Sequence, residues 1–239
     1  MAKYSFIYFD LDDTLLDHRS AERLALGDVY ELYSHQFDGH SLISVQETYH
    51  DVNTDLWRRY SDGTITKQQV KIERFESLLE RLQLADRIPA EELSSLYMNQ
   101  YGQHWSFIPG GRDAFLSIAD SFQVGILTNG FTEIQHAKLA QFPELSERSS
   151  SIIISEEVGY MKPDPRIFDH AAAAVNCMAD EILYIGDSYR SDVVGGSGAG
   201  WNVAWFSPGE GNGNPEHRFQ EWSEILTWMD VPSRYATKG

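Results

Sequence analysis

Five short runs of β-forming residues, Tyr4–Phe9, Val124–Leu127, Ser151–Ile154, Ile182–Ile185 and Asn202–Phe206, are mostly apolar throughout instead of alternating with polar residues. Strands read this way when both faces are buried, the condition of a parallel sheet covered on each side by helices. Helical patterns fall between the runs, at Gly111–Ser121, Phe131–Phe142, Pro165–Val175 and Ser191–Gly198. Strand alternating with helix implies βαβ units, so the expected fold is α/β, a doubly wound, Rossmann-like parallel sheet. Pro165 suits the first turn of its helix, where a missing N–H costs nothing.

The alternation breaks between residues 17 and 107. That interval holds no convincing strand and reads as four helices, Ser20–Gln36, Val45–Tyr60, Thr66–Leu84 and Pro89–Trp105. Turn and cap signals separate them in "SDGT" (Ser61–Thr64) and "DRIPAEE" (Asp86–Glu92). The expectation is an all-helical cap domain over residues 17–107, inserted into an α/β core of residues 1–16 and 108–239, with "SFIPGG" (Ser106–Gly111) as the return hinge. The segment Pro215–Met229 reads as a last helix packing Trp222, Ile225, Leu226 and Met229. Ser207–Glu216 reads as a flexible loop and Pro232–Gly239 as a frayed tail.

Charge narrows the possible partners. The 239 residues carry a formal charge of −17, which argues against binding nucleic-acid polymers or anionic membranes, since both need a basic surface. The single cysteine, Cys177, excludes an internal disulfide and fits a reducing cytoplasm. No run is long and apolar enough for a secretory or membrane-spanning segment, so a cytoplasmic protein, monomer or weak homodimer, is expected.

Polar residues gather where the apolar runs stop. The first run ends in "DLDDT" (Asp10–Thr14), the second in "TNG" (Thr128–Gly130), the third in "SEE" (Ser155–Glu157) and the fourth in "GDS" (Gly186–Ser188). In an open parallel sheet the carboxyl ends of the strands line the ligand crevice, so four clusters converge on one rim. Asp10 and Asp12, two apart in extended chain, can face the same side, one as nucleophile and the other managing the leaving-group proton. So many carboxylates raise one another's cost of ionisation and call for positive charge among them. Asp10, Asp12 and Asp187 offer hard oxygen ligands suited to Mg²⁺, and Lys162 in "GYMKPDP" offers a second cation. Thr128 offers a hydroxyl, and the amides of Asn129 and Gly130 open a helix whose N-terminus is a natural phosphate cradle. Each cluster alone also reads as an ordinary turn or cap.

Other motifs fail. "GGSGAG" (Gly195–Gly200) lacks the dinucleotide fingerprint and ends a helix instead of opening one. Ser197 falls short of a nucleophile elbow, because Ala199 stands where glycine is required. The eight histidines are scattered without zinc-ligand spacing.

Taken together, "DLDDT", "LTNG", Lys162 and "GDSYRSD" resemble the four motifs of the haloacid-dehalogenase-like (HAD) hydrolase superfamily, and the helical insert is similar to its C1 cap. The superfamily's dehalogenases lack an aspartate at the position of Asp12, whereas its phosphatases carry one. The resemblance implies that Asp10 attacks phosphorus to form an aspartyl-phosphate and that Asp12 protonates the leaving alkoxide, then deprotonates water. It implies that Thr128 and Lys162 hold the phosphoryl group. Mg²⁺ would sit on Asp10, the backbone carbonyl of Asp12, and Asp187, with Asp192 behind the ligands or positioning Lys162.

The cap sequence "VNTDLWRRYSDGTITKQQVKIERFESLLERL" and "SEEVGYMKPDPRIF" further resemble the non-canonical pyrimidine nucleotidases. That likeness implies a nucleoside 5′-monophosphate as the phosphate-monoester substrate, with pyrimidine or deoxypyrimidine bases preferred. Substrate readers would then come from Asn53 (a base edge), Trp57 (stacking), Arg74 (anionic groups), and His18 and Phe131 beside the first two motifs. Trp57 also fits the apolar stripe of its helix, and Arg74 also fits an ion pair with Glu73, Glu76 or Asp62. Phosphatases of sugar phosphates or phosphoglycolate share much of the pattern. A β-phosphoglucomutase-like phosphomutase is a further alternative, as is a non-enzymatic binding module, though no catalytic residue is missing.

Overall fold

The computed structural model describes residues 4–208 and 217–235. Its strands are β1 Phe6–Phe9, β2 Gln123–Thr128, β3 Ser149–Ile154, β4 Ile182–Gly186, β5 Asn202–Phe206 and β6 Arg218–Phe219. All pair in parallel, in the order β3-β2-β1-β4-β5-β6. The chain therefore winds from β1 outward to β3 and then crosses to the other side of β1. That reversal between β1 and β4 is the switch point where doubly wound sheets open a crevice.

Contacts divide the chain into two compact units, one running from His18 to Ser106 and the other holding the residues on either side of it. The helical unit comprises α1 His18–Leu32, α2 Leu42–Ser61, α3 Lys67–Arg81 and α4 Ala90–Gln103. Its core stacks rings from three helices, Tyr49, Phe75 and Tyr97, with centroids 5.1 to 5.3 Å apart. Ser41 caps α2, and Thr66 and Gln69 form a reciprocal capping box on α3.

In the sheet unit, β1 sends Ile7 and Phe9 to one face and Phe6 and Tyr8 to the other. Full burial of each such side chain is worth about 1.5–3 kcal/mol. The first face is covered by α5 Gly111–Ala119, α6 Thr132–Gln141, α7 Pro143–Arg148 and, near the C-terminus, a further helix at Trp222–Trp228. A single turn, α8 Ser155–Val158, follows β3. The second face is covered by α9 Pro165–Val175, which starts with Asp164 as cap and Pro165 in its first turn. The segments that leave and re-enter this unit lie side by side, with Leu16 bridged antiparallel to Phe107 and the Ile108 amide donating to the Leu15 carbonyl at 2.9 Å. No helix among the described residues is long and apolar enough to cross a membrane.

Three expectations need correction. The expected helix at Ser191–Gly198 is a π-helical turn, Tyr189–Val194, continued by α10 Gly195–Gly198. The expected helix from Pro215 begins instead at Trp222, as α11 Trp222–Trp228, with β6 before it. The free edge of β5 explains this: the Trp205 amide donates to the His217 carbonyl and the Ser207 amide to the Phe219 carbonyl, at 2.8 and 2.7 Å. Trp222, Ile225 and Leu226 still pack inward as expected, with Met229 partly buried against them. The tail is held through Tyr235, since the Arg234 amide donates to Ser117 Oγ and the Tyr235 hydroxyl to Asp120. Residues 209–216 of the expected loop and 236–239 of the expected tail lie outside the described residues.

Candidate active site

The chain after β1 turns sharply. Asp13 takes a left-handed conformation, φ 57°, which a short polar side chain tolerates, and its amide donates to the Leu16 carbonyl at 2.7 Å. This turn fixes Asp10 at the end of the strand and Thr14 beneath the rim, where the Thr14 hydroxyl donates to Asp187 Oδ1 at 3.2 Å. Asp187 follows β4, the neighbour of β1, so the two carboxylates face each other across the switch point.

Lys162 lies among them and is only 2% exposed. Its ammonium is 2.8 Å from Asp10 Oδ1, 2.8 Å from Asp192 Oδ1 and 2.5 Å from the Tyr184 hydroxyl. These three partners match its three N–H donors. Burial by itself would depress its pKa, but Asp10 and Asp192 outweigh that and raise it. The Tyr184 hydroxyl in turn donates a hydrogen bond to the Leu127 carbonyl at 2.9 Å. Asp192, fully buried, also accepts the Ser188 amide on Oδ2 at 2.9 Å. Asn129 grips the Lys162 backbone from both sides: its Nδ2 donates to the carbonyl and its Oδ1 accepts the amide, each at 2.9 Å.

One cation does not balance this cluster. Asp10, Asp187 and Asp192 offer oxygens within 4.8 Å of one another. Burial first, then Asp192 and Asp12, push the Asp10 pKa up to about 7 against the opposing pull of Lys162. Asp187 is also raised, by burial and then by Asp192, Asp10 and Asp13. An all-oxygen donor set short of positive charge fits a hard divalent cation, whose charge would favour the ionised form of both groups.

Asp12 belongs to a different arrangement. Its Oδ1 pairs with Lys138 Nζ at 2.5 Å and its Oδ2 accepts Gln135 Nε2 at 3.0 Å. Gln135 Nε2 also donates to Thr128 Oγ1, at 2.8 Å. Gln135 and Lys138 were missed by sequence reasoning, as was Tyr184. The Gly130 amide, expected at a phosphate cradle, donates to Ser155 Oγ at 3.2 Å, and the Thr132 amide donates to Glu156. The cluster after β3 thus closes the start of α6.

Two glycines of these motifs are dictated by close approach. A Cβ on Gly130 would lie 2.7 Å from Gln135 Cδ, and one on Gly186 would collide with the Asp192 carboxylate.

The residues expected to read the substrate divide between the units. Phe131, at the start of α6, is buried. In the helical unit, His18 Nδ1 lies 2.6 Å from the Tyr101 hydroxyl, and Asn53 Nδ2 donates to the buried Glu22 at 3.1 Å. Glu22 also holds His50 at 3.1 Å. Arg74 does not make the ion pair with Glu73, Glu76 or Asp62 weighed from sequence. It turns inward, with its guanidinium over the Phe75 and Tyr97 rings and Nη2 3.1 Å from Met98 Sδ. Glu73 is instead held by Arg59 and Gln69. Trp57 is half-buried, edge-on to Tyr60.

The sequence profile of the haloacid dehalogenase-like hydrolases matches residues 4–200. The chain belongs to that hydrolase family. Among its relatives, the pyrimidine 5′-nucleotidase YjjG of Escherichia coli is 32% identical over 95% of this chain and 93% of its own. The pyrimidine 5′-nucleotidase PynA of Streptococcus pneumoniae is 29% identical over 95% of both chains. Among solved structures, the putative HAD-hydrolase YfnB of Bacillus subtilis, crystallised with magnesium, superposes with a TM-score of 0.81 at 27% identity, covering 96% of this chain and 100% of that one.

Proposed function

We propose that the protein is a Mg²⁺-dependent phosphomonoesterase that hydrolyses nucleoside 5′-monophosphates, pyrimidine and deoxypyrimidine ones including non-canonical bases by preference. The observation that carries the reading is the split environment of the two carboxylates after β1. Asp10 shares a cation-poor cluster with Lys162, Asp187 and Asp192, while Asp12 is drawn aside by Lys138 and Gln135. Two carboxylates in unlike surroundings suit two unlike roles.

Asp10 attacks phosphorus and the bond to the ester oxygen breaks, leaving an aspartyl-phosphate. Asp12 gives its proton to the departing alkoxide. It then takes a proton from the water that attacks phosphorus, and inorganic phosphate leaves with Asp10 restored. Lys162 offsets charge on Asp10 and on the phosphoryl oxygens, and the Thr128 hydroxyl donates a hydrogen bond to one of them. Asp10, Asp187 and the Asp12 carbonyl would hold Mg²⁺, with Asp192 fixing Lys162 behind them. Once bound, the ion would offset charge on the carboxylates and on the phosphoryl oxygens. The substrate class is supported by likeness to YjjG and PynA over nearly the whole chain, the helical unit included.

The test is phosphate release with Mg²⁺ from dUMP, dTMP, UMP, purine monophosphates, phosphoglycolate and sugar phosphates. Pyrimidine nucleotides are expected to turn over fastest, with release falling to background in Asp10→Asn and in EDTA. Preference for sugar phosphates or phosphoglycolate would overturn the substrate class. No release from any ester by folded, Mg²⁺-bound protein would overturn the phosphatase reading.

A further inference from the structure

The inward stripe of α6 and its lead-in residue is occupied by Phe131, Gln135, Lys138 and Leu139. This is the i, i+4, i+7, i+8 spacing of a core-facing helix, with two polar side chains where apolar ones would gain burial. Gln135 is 1% and Lys138 2% exposed. A buried ammonium is tolerable only with charged partners, and Asp12 supplies one here. Gln135 directs its Nε2 to both Asp12 Oδ2 and Thr128 Oγ1, with a longer 3.5 Å contact to the Asn129 carbonyl. The backbone makes room for it, since any side chain on Gly130 would strike Gln135.

We propose that Gln135 and Lys138 are positioning residues for the acid–base step: they aim the Asp12 carboxylate and couple it to the hydroxyl of Thr128. The proposal rests on the reading of Asp12 as acid and base given above. An aspartate at a crevice rim rotates about two bonds, yet proton transfer needs it within hydrogen-bond reach of the ester oxygen. A misplacement of about 1 Å costs about a hundredfold in rate. Two donors from one helix, one on each carboxylate oxygen, remove that freedom. Because Gln135 also holds Thr128, the proton donor and the phosphoryl ligand are held as one piece.

The leaving group separates this role from a general structural one. An alkyl ester such as a nucleotide releases an alkoxide that needs a proton, whereas p-nitrophenolate departs without one. The rate of the phosphoryl-transfer step is measured in single turnovers on the Mg²⁺-loaded full chain. It is compared for its best alkyl phosphate and for p-nitrophenyl phosphate, in wild type, Asp12→Asn, Lys138→Met, Lys138→Arg and Gln135→Leu. Lys138→Met is expected to slow transfer from the alkyl ester by about 10- to 100-fold while p-nitrophenyl phosphate stays within about threefold, and Gln135→Leu, which also releases Thr128, is expected to slow both esters but the alkyl ester about tenfold more. Lys138→Arg is expected to recover most of the loss. Should Lys138→Met fail to fold, the larger loss on the alkyl ester in Gln135→Leu is the expectation tested. Equal losses on both esters, or no loss on either, would overturn the proposal. If Asp12→Asn itself shows no leaving-group bias, the acid–base reading beneath falls and takes the proposal with it. If Asp12→Asn shows the bias and the α6 variants do not, positioning alone is wrong.

Discussion

Lys162 holds three buried partners at once, and removing its charge would strand two carboxylates. Breaking a buried ion pair from one side costs about 3–5 kcal/mol. Lys162→Met is therefore expected to destabilise the metal-free protein by about 3 kcal/mol in chemical denaturation and to abolish turnover. A variant of wild-type stability would mean that the cluster is not held as described. Asp10 and Asp187 were legible from sequence because each stands where an apolar run stops and a polar side chain has few roles, whereas Lys162, past α8, and Asp192, inside the turn Tyr189–Val194, were placed with them by the motif resemblance. Gln135 and Lys138 were not, because a polar residue within a helix usually faces water. Their only signal was position: both fall on the stripe that Phe131 and Leu139 mark as inward. Tyr184 was hidden for the opposite reason, since "ILYI" reads as a buried strand whether or not its hydroxyl has a task.

At the scale of elements, the wide turn Tyr189–Val194 carries Asp192, the third carboxylate of the cluster. An extra residue per turn re-aims side chains, and such turns recur at functional sites. Here the turn brings Asp192 back over Gly186, so close that only glycine fits. Gly186→Ala is expected to push Asp192 off Lys162, lowering stability by about 1–3 kcal/mol and turnover with it. Unchanged melting and activity would show that the contact is slack. Five strands were legible because continuous apolar runs admit few readings. β6 was not: two residues carry no period, and Arg218–Phe219 became a strand because the edge of β5 offered backbone partners. The π-helical turn was likewise invisible, since it differs from an α-helix only in ladder spacing.

Across the whole molecule, the two-unit division follows from one break in strand–helix alternation, and the sheet unit gathers every proposed catalytic group. The charge deficit there predicts linked metal and proton binding. Asp10 is pushed up to about 7, and Asp187 is raised in the same direction. A carboxyl with a raised folded-state pKa binds protons more tightly when folded, so its stabilisation is present at acid pH and is lost as pH rises through about 7. Mg²⁺ must displace those protons, so it is expected to raise the melting temperature more at about pH 8 than at about pH 6. Equal gains at both would contradict the description of the cluster. The central claim, that Asp10 is the nucleophile of a phosphoryl transfer, is tested most directly by acid-quenching the protein during turnover of its best phosphate ester and locating any phosphate by peptide mass spectrometry. The account predicts a hydroxylamine-labile phosphate on the peptide containing Asp10, absent in Asp10→Asn. Turnover with no phosphoenzyme, or with phosphate on another residue, would contradict it.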